Sequence, residues 1–255
     1  QNRFMAISNS QLKLLQSLKL KKFRQKYGKY VVEGPKMVDE LISNKSNSVH
    51  TIYTTLSYKD KLLAKGYIGS IVEINDKDLK KVSALKTPNQ VVAVAELPDL
   101  EFVPSLSVEK VSLYLDRIQD PGNLGTIIRI ADWFGIKNVV CAPGTVDVYS
   151  SKVIQSTMGA IYRVEVSYVD YEKLMAKNGA LKSFGAVLDS GLSIYDLGEE
   201  SPGLLVIGNE SQGISPALKS QLDHQISIPR IETKGAESLN AAVACGIICG
   251  QLIRP

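Results

Sequence analysis

Residues that could bind a ligand follow three apolar segments in the second half of the chain. Asn123 and Arg129 come after the segment VSLYLD, Glu210 comes after GLLVIG, and Ser238 and Asn240 come after ISIP. Polar groups that follow the carboxyl ends of strands in an α/β sheet meet at one edge, where ligands bind. Amides and a carboxylate can orient a ligand there, and the guanidinium of Arg129 can bind an anionic group.

Other chemistries lack their signatures in this sequence. Neither GNLGT nor GNESQG fits a dinucleotide fingerprint or a P-loop, and no serine stands in a G-x-S-x-G turn. His50 and His224 are isolated, and no cluster has the spacing of metal ligands, so no metal is expected. Cys141, Cys245 and Cys249 form no disulfide framework, which fits a reduced, cytoplasmic protein.

The element that carries Arg129 is predicted to be a helix after a tight turn. Gly122 and Gly125 are expected to form that turn around Asn123, and the helix then runs over Thr126–Phe134. Arg129 lies one helical turn after Gly125, so its guanidinium can reach back over the loop.

The closing stretch is predicted to be a strand that ends at Pro229, a loop, and a helix of apolar and small residues. Ser238 is expected to be the N-cap of this helix. Asn240 lies in an otherwise apolar context, where a buried amide needs partners. We interpret Cys245 and Cys249 as small buried fillers of the helix.

The first half alternates short β-branched strands with helices, which predicts a compact α/β domain. It contains no phosphate loop or catalytic cluster, so we interpret it as a binding module. Glu33 ends one of its strands, and a role in a turn or on the surface is favoured over a functional one. The predicted domains are residues 1–104 and 105–255, joined by a linker over about 97–110 that has two prolines and no periodicity.

The basic charge of the protein lies in the first domain. Residues 1–104 contain 17 Lys and Arg against 10 Asp and Glu, whereas residues 105–255 contain 13 against 16. Seven basic side chains and no acidic one lie between Gln11 and Lys29, interleaved with Phe23 and Tyr27. This segment is either a solvated helix face or a contact for RNA phosphates with aromatic rings for stacking, and we favour the second. The predicted RNA contacts are Lys21, Lys22, Arg24, Lys26 and Lys29.

The three loops of the second half, in this order, resemble the three motifs of the SpoU (TrmH-type) class of RNA 2′-O-ribose methyltransferases. DPGNLGTIIRIADWFG resembles the first motif, VIGNESQGIS the second and ISIPRIETKGAESLNAAVA the third. KFRQKYGKYVVEGPKMVDELI resembles the accessory RNA-binding domain of the same class. The chain departs from the usual pattern at Ser211, where many members have Gly, and in the loop between Pro229 and Ser238.

The resemblance implies an α/β domain with a parallel sheet and a C-terminal trefoil knot, which binds S-adenosylmethionine and forms a homodimer around its last helix. Trp133 is expected to pack in the core or in an interface. The implied cofactor-binding residues are Gly208, Asn209, Gly213, Ile228, Pro229 and Leu239. The implied catalytic residues are Asn123, Arg129, Glu210, Ser238 and Asn240.

These features favour 2′-O-ribose methylation of structured RNA, ribosomal RNA more than transfer RNA. Two alternatives stay open: a non-catalytic RNA-binding or ribosome-assembly protein that keeps the knotted fold, and a methyltransferase of small molecules. The apolar content of 44% and charged content of 22% are those of a soluble globular protein. We find no segment of about 20 apolar residues and no signal pattern, so we expect no membrane span and a cytoplasmic location.

Overall fold

The structure, a computed structural model, describes residues 7–188, 191–197, 203–231 and 237–253. The described chain divides into two compact units, and the division at Pro98 falls inside the predicted linker. The first unit also contains Tyr149–Tyr162. The sequence analysis assigned this segment to the second domain, because it lies between strands of that domain. Within the first unit the rings of Tyr30 and Tyr149 pack with their centroids 4.4 Å apart.

The first unit contains a four-stranded mixed sheet in the order β1-β4-β2-β3. Only β2 and β3 are parallel, and β4 pairs antiparallel with both of its neighbours. The sequence VVAVAE of β4 is apolar on both faces, and its first five residues are buried, as expected for a central strand. The strands are β1 (Lys29–Glu33), β2 (Val49–Thr54), β3 (Ile71–Glu73) and β4 (Val91–Glu96).

Helices surround this sheet in the predicted alternation. The turn between the first strand and its helix is made by Gly34 at φ +88°, a backbone angle that glycine adopts without strain, and Pro35 then begins the helix. The α-helices are α1 (Asn9–Ser17), α2 (Lys21–Tyr27), α3 (Pro35–Lys45), α4 (Leu56–Ala64) and α5 (Asp76–Val82). Short 3-10 helices span Ser46–Ser48 and Ala160–Tyr162.

The second unit contains a parallel sheet of seven described strands in the order β7-β6-β5-β10-β8-β11-β9. The central strands are continuous apolar runs, because helices cover both faces of a parallel sheet. Since all strands run the same way, their carboxyl ends lie at one edge. The strands are β5 (Ser112–Leu115), β6 (Asn138–Cys141), β7 (Glu165–Tyr168), β8 (Ser183–Ala186), β9 (Leu192–Ser193), β10 (Leu204–Ile207) and β11 (His224–Ser227).

Two helix starts and one strand end differ from the sequence prediction. The helix that carries Arg129 begins at Pro121 with Asp120 as its N-cap, so Asn123 lies in its first turn rather than in a preceding loop. Proline suits the first helical position because its missing N–H would be unpaired there. Strand β11 ends at Ser227, two residues before the predicted end at Pro229. The remaining helices are α6 (Pro121–Trp133), α7 (Ser151–Thr157, in the first unit), α8 (Tyr171–Lys177), α9 (Pro216–Lys219) and α10 (Ala241–Leu252).

The N-cap of α10 is Asn240, and the prediction of Ser238 was wrong. The side-chain oxygen of Asn240 accepts hydrogen bonds from the amides of Ala242 and Val243 at 2.9 and 3.2 Å. Ser and Asn are comparable N-caps, so position along the chain alone did not distinguish them. Asn240 therefore lies at the start of the helix and is solvent-exposed rather than buried within it.

The small residues of α10 allow it to pack closely on α6. A Cβ atom added to Gly246 would lie 3.4 Å from Cδ1 of Ile130, which leaves little room for a larger residue. Cys245 and Cys249 are fully buried, which confirms their prediction as fillers. Trp133, at the end of α6, is 84% exposed, so of the two predicted places, the core or an interface, the structure excludes the core.

Within the described ranges, no helix is both long enough and apolar enough to cross a membrane.

Candidate active site

The loop after β10 closes on itself directly beside the end of the strand. Asn209 and Gly213 pair as an isolated bridge, and a Cβ atom at Gly208 would lie 2.2 Å from the carbonyl carbon of Gly213. Only glycine therefore fits at position 208. The Asn209 side chain accepts from the amides of Ser211 and Gln212 at 3.0 and 3.1 Å, which fixes the loop from within.

Glu210 of this loop holds the N-terminal end of α6. Its carboxylate accepts hydrogen bonds from the amides of Gln119 and Asp120 at 3.2 and 3.1 Å, and from Nδ2 of Asn123 at 3.0 Å. Burial alone would raise the pKa of Glu210, but the hydrogen bonds from Asn123 and from the backbone amides outweigh it and lower the pKa. Glu210 is thus held as an acceptor-only carboxylate.

Asn123 connects this carboxylate to the last helix. Its Oδ1 atom accepts from Nδ2 of Asn240 at 2.8 Å, while its own Nδ2 donates to Glu210. Asn123 is 8% exposed, so its amide needs both partners. One chain of hydrogen bonds, Asn240 to Asn123 to Glu210, therefore joins residues that are 117 and 87 positions apart in sequence.

A cavity of about 680 Å³ opens beside these loops. Its volume lies in the usual range for small-molecule and cofactor sites, about 300–1,000 Å³. Much of its wall is apolar, with Ala186, Ile226 and Ile248 among the lining residues. The lining includes all six predicted cofactor-binding residues, Gly208, Asn209, Gly213, Ile228, Pro229 and Leu239, together with Glu210 and Ser238.

Two predicted catalytic residues lie outside the hydrogen-bonded chain. Ser238 is exposed and lines the cavity. Arg129 is exposed on α6, and within the described ranges its side chain makes no hydrogen bond or ion pair. Arg129 is not among the residues that line the cavity, and its guanidinium is available for an anionic ligand.

Asp116, directly after β5, has partners other than Glu210. Asp116 is 4% exposed and accepts instead from the amide of Ser215 at 2.7 Å and from Nε of Arg117 at 2.9 Å. The carbonyl of Arg117 accepts from Nδ2 of Asn209 at 2.8 Å. Asp116 and Arg117 therefore anchor the loop after β10 to the end of β5. The sequence analysis did not single out these two residues, although their position directly after an apolar strand could have indicated them.

The basic segment of the first unit forms α1 and α2. The two rings of α2, Phe23 and Tyr27, stack with their centroids 6.2 Å apart. The ammonium groups of Lys22 and Lys26 lie 4.9 and 5.5 Å from these two ring centroids. Lys21, Lys22 and Lys26 are exposed and Lys29 is half-buried.

Arg24 does not share the exposed position of its neighbours. It is 4% exposed, and its guanidinium donates to the carbonyls of Leu18 and Lys19 at 2.8 and 2.9 Å. The prediction of Arg24 as an RNA contact therefore does not match the structure, because its guanidinium closes the turn between two helices. Glu33 is also buried and accepts from Ser83 Oγ and from the amide of Ala84, so it has structural partners but does not lie on the surface.

No group of three or more His, Cys, Asp or Glu residues within the described ranges is arranged to hold a metal ion.

Comparison with protein families matches both parts of the chain. Residues 110–250 match the SpoU rRNA Methylase family, and residues 9–93 match the MRM3-like substrate binding domain. The chain is 30% identical to the 23S rRNA (guanosine(2553)-2′-O)-methyltransferase RlmP of Bacillus subtilis, over 96% of each protein.

Two solved structures are similar over nearly the whole chain. A putative RNA methyltransferase of the TrmH family from Porphyromonas gingivalis is 35% identical, with a TM-score of 0.84 over 96% of this chain and 98% of that one. The SpoU methyltransferase AviRb from Streptomyces viridochromogenes, in complex with the cofactor AdoMet, is 25% identical, with a TM-score of 0.85 over 96% and 97%.

Proposed function

The chain belongs to the SpoU rRNA methylase family, and we propose that it transfers a methyl group from S-adenosylmethionine to a ribose 2′-hydroxyl of ribosomal RNA. The observation that carries this proposal is the cavity whose wall includes the loops after β10 and β11, beside the chain from Asn240 through Asn123 to Glu210. The parallel sheet brings the loops after β5, β10 and β11 to one edge. Each of these loops contributes a residue to the series of hydrogen bonds or to the wall of the cavity.

The cavity residues fit S-adenosylmethionine by size and chemistry. Apolar walls suit its adenine ring, and the backbone groups next to Gly208 and Ile228 offer hydrogen bonds without bulky side chains. Bound there, the donor supplies an electrophilic methyl group on a positively charged sulfur. This reactivity needs no metal, and the work left to the protein is alignment and charge stabilisation.

We assign the charge-stabilising role to Arg129. A guanidinium stays protonated in proteins, so Arg129 is not assigned the role of proton acceptor. It can bind the phosphate next to the reacting ribose through two parallel hydrogen bonds and favour the negative charge that develops on the 2′-oxygen. Its exposed position on α6 leaves it accessible to RNA.

We assign a positioning role to the side chains of Asn123, Glu210 and Asn240, which hold the loop after β10 and the starts of α6 and α10 together. Because Glu210 accepts three hydrogen bonds from one end of α6, a displacement of its loop would break contacts to the helix that carries Arg129. Asn240 fixes the start of α10 to the same group. Ser238, which lines the cavity, is left to contact the substrate.

RNA docks on the first unit in this proposal. The exposed ammonium groups of Lys21, Lys22 and Lys26 bind phosphates, and the stacked rings of Phe23 and Tyr27 pack against unpaired bases. The match to a substrate-binding domain and the 23S rRNA relative support ribosomal RNA as the target.

We further propose a homodimer formed through α6 and α10. Trp133, Val243 and Ile247 are 84%, 51% and 38% exposed, although they lie on two helices that pack together. Exposed apolar side chains on neighbouring helices are typical of an interface. A second copy of the chain would cover them and support the start of α10.

The proposed activity is tested with the purified protein, labelled S-adenosylmethionine and ribosomal RNA that carries no modifications. We expect label in RNA and a product nucleotide that resists alkaline cleavage, because a methylated 2′-oxygen cannot attack the neighbouring phosphate. Calorimetry with the donor alone provides the second measurement. A non-catalytic RNA-binding protein would show no donor affinity and no label, and either result would refute the proposal.

A further inference from the structure

Three of the described residues that line the donor cavity carry a charge: Glu210, Lys219 and Arg230. The carboxylate of Glu210 already accepts three hydrogen bonds, from the amides of Gln119 and Asp120 and from Nδ2 of Asn123. Arg230 is exposed at the mouth, and its guanidinium donates to the carbonyl of Glu237. Lys219 is half-buried at the end of α9, and within the described ranges no hydrogen bond or ion pair of its ammonium group is found.

The position of Lys219 is fixed by the short helix that carries it. Leu218, the residue before it, is 6% exposed and belongs to the core. The residue before the helix, Ser215, donates its amide to the buried carboxylate of Asp116 at 2.7 Å. Lys219 therefore projects from a rigid base, and its flexible stem can bring the ammonium group to a ligand in the cavity.

A cation in this wall has a specific electrostatic consequence. S-adenosylmethionine carries a positive sulfonium, a positive amino group and one carboxylate, so a lysine opposes two of its charged groups and attracts the third. Apolar neighbours such as Ile214 and Ile226 lower the local dielectric constant and strengthen these interactions. A lysine is favourable here only if it pairs with the carboxylate.

We propose that the ammonium group of Lys219 binds the carboxylate of S-adenosylmethionine. This contact makes the site prefer S-adenosylmethionine over the same molecule without its carboxylate. This inference rests on the proposed function, because it assumes that the cavity binds this donor. It makes Lys219 a specificity-determining residue of the donor site rather than a catalytic residue.

The test compares two donors that differ only in the carboxylate, S-adenosylmethionine and its decarboxylated form, by calorimetry on the full chain. We expect the wild-type protein to bind the intact donor about fivefold more tightly, as a half-buried ion pair allows. In Lys219→Met this preference should disappear: affinity for the intact donor falls about fivefold, while affinity for the decarboxylated donor stays the same or rises. Equal melting temperatures of variant and wild type establish that the fold is retained.

Two matched substitutions complete the experiment. Lys173→Met removes an exposed lysine of α8 that pairs with Asp170. This variant should keep the wild-type preference for the intact donor. Arg230→Met should also keep it, and loss of the preference in this variant alone would overturn the inference. A wild-type protein that binds both donors equally well would overturn the inference but not the proposed function. A wild-type protein that binds neither donor would overturn both.

Discussion

Asn123 lies at the centre of the site, because its amide group makes one hydrogen bond in each direction. It accepts from Asn240 and donates to Glu210, and both contacts come from loops that are distant in sequence. An amide is suited to this position since it is donor and acceptor at once, whereas a carboxylate there would face Glu210 with like charge. Roles at the scale of single residues can therefore be separated by substitutions that change one hydrogen-bonding group.

Substitution of Arg129 should affect the reaction and not the binding of the donor. In Arg129→Ala we expect methyl transfer to fall by a factor of about 10² to 10³ or more, because the developing charge is no longer stabilised. Arg129→Lys should also be poor, since a point charge does not reproduce the planar guanidinium. Single-turnover rates and donor calorimetry measure the two effects, and full activity of the alanine variant would contradict the assignment.

Substitutions of Asn240 should separate its structural role from its role in the site. Asn240→Ala removes the N-cap of α10 and should lower the free energy of unfolding by about 1 kcal/mol. Asn240→Asp keeps the capping oxygen but cannot donate to Asn123, so it should retain more stability and lose activity. Ser238→Ala, three residues before α10, is the control and should unfold like the wild type in denaturant. Equal losses of stability in the serine and asparagine variants would contradict the placement of the cap.

The lowered pKa of Glu210 predicts a contribution to stability that depends on pH. A carboxyl whose pKa is lower in the folded chain stabilises the fold above its unfolded pKa of about 4.3, and this stabilisation is lost as the pH falls through the folded pKa. Glu210→Gln should therefore be less stable than the wild type at pH 7, and the difference should narrow below about pH 4. Urea unfolding between pH 7 and pH 3 measures this difference in the free energy of unfolding. A difference that stays constant over this range would contradict an ionised Glu210 that accepts these hydrogen bonds.

At the scale of elements, α2 shows how one short helix divides structural and binding roles among similar side chains. Arg24 points inward and closes the turn after α1, whereas Lys22 and Lys26 point outward beside Phe23 and Tyr27. The inward arginine orients the helix, and the outward lysines and rings form the proposed RNA surface.

Removing the outward lysines should therefore change the salt dependence of RNA binding. For Lys22→Gln with Lys26→Gln, we expect the slope of log affinity against log salt to fall by about 0.9 for each phosphate of a duplex that the protein no longer neutralises. Lys59→Gln is the control in the same unit, because Lys59 is paired with Glu73 at 2.9 Å. Binding measured by fluorescence anisotropy at several salt concentrations gives the slopes. An unchanged slope in the double variant would remove these lysines from the RNA surface.

At the scale of the whole molecule, the apolar side chains left exposed on α6 and α10 predict a dimer. Val243→Asp should convert it to a monomer, because an unpaired carboxylate in an apolar interface is costly. We also expect weaker methyl transfer, since α10 begins at the site. Leu63→Asp replaces a residue of similar exposure in the first unit and should leave the mass unchanged. Light scattering measures the mass of the wild type and of both variants. A monomeric wild type at micromolar concentration would refute the interface.

The sequence by itself predicted most of the elements and a set of candidate site residues. Hydrophobic periodicity is local, so the strand and helix alternation, the buried cysteines of α10 and the linker at 97–110 could all be read from it. The ordered motifs predicted six cofactor-binding residues, and all six line one cavity. The trefoil knot stays a prediction, because it came from the resemblance and periodicity carries no information on threading.

Only the tertiary structure decided how these residues are used. The start of α6 at Pro121, the N-cap at Asn240 instead of Ser238, the burial of Arg24 and the exposure of Trp133 were each decided between alternatives that the sequence pattern left open. A side chain that could cap, bind or pack has one of these roles only when its partner is brought within hydrogen-bonding distance. The chain from Asn240 through Asn123 to Glu210 could not be read from the sequence for this reason, since three separate loops meet there only after the sheet has formed.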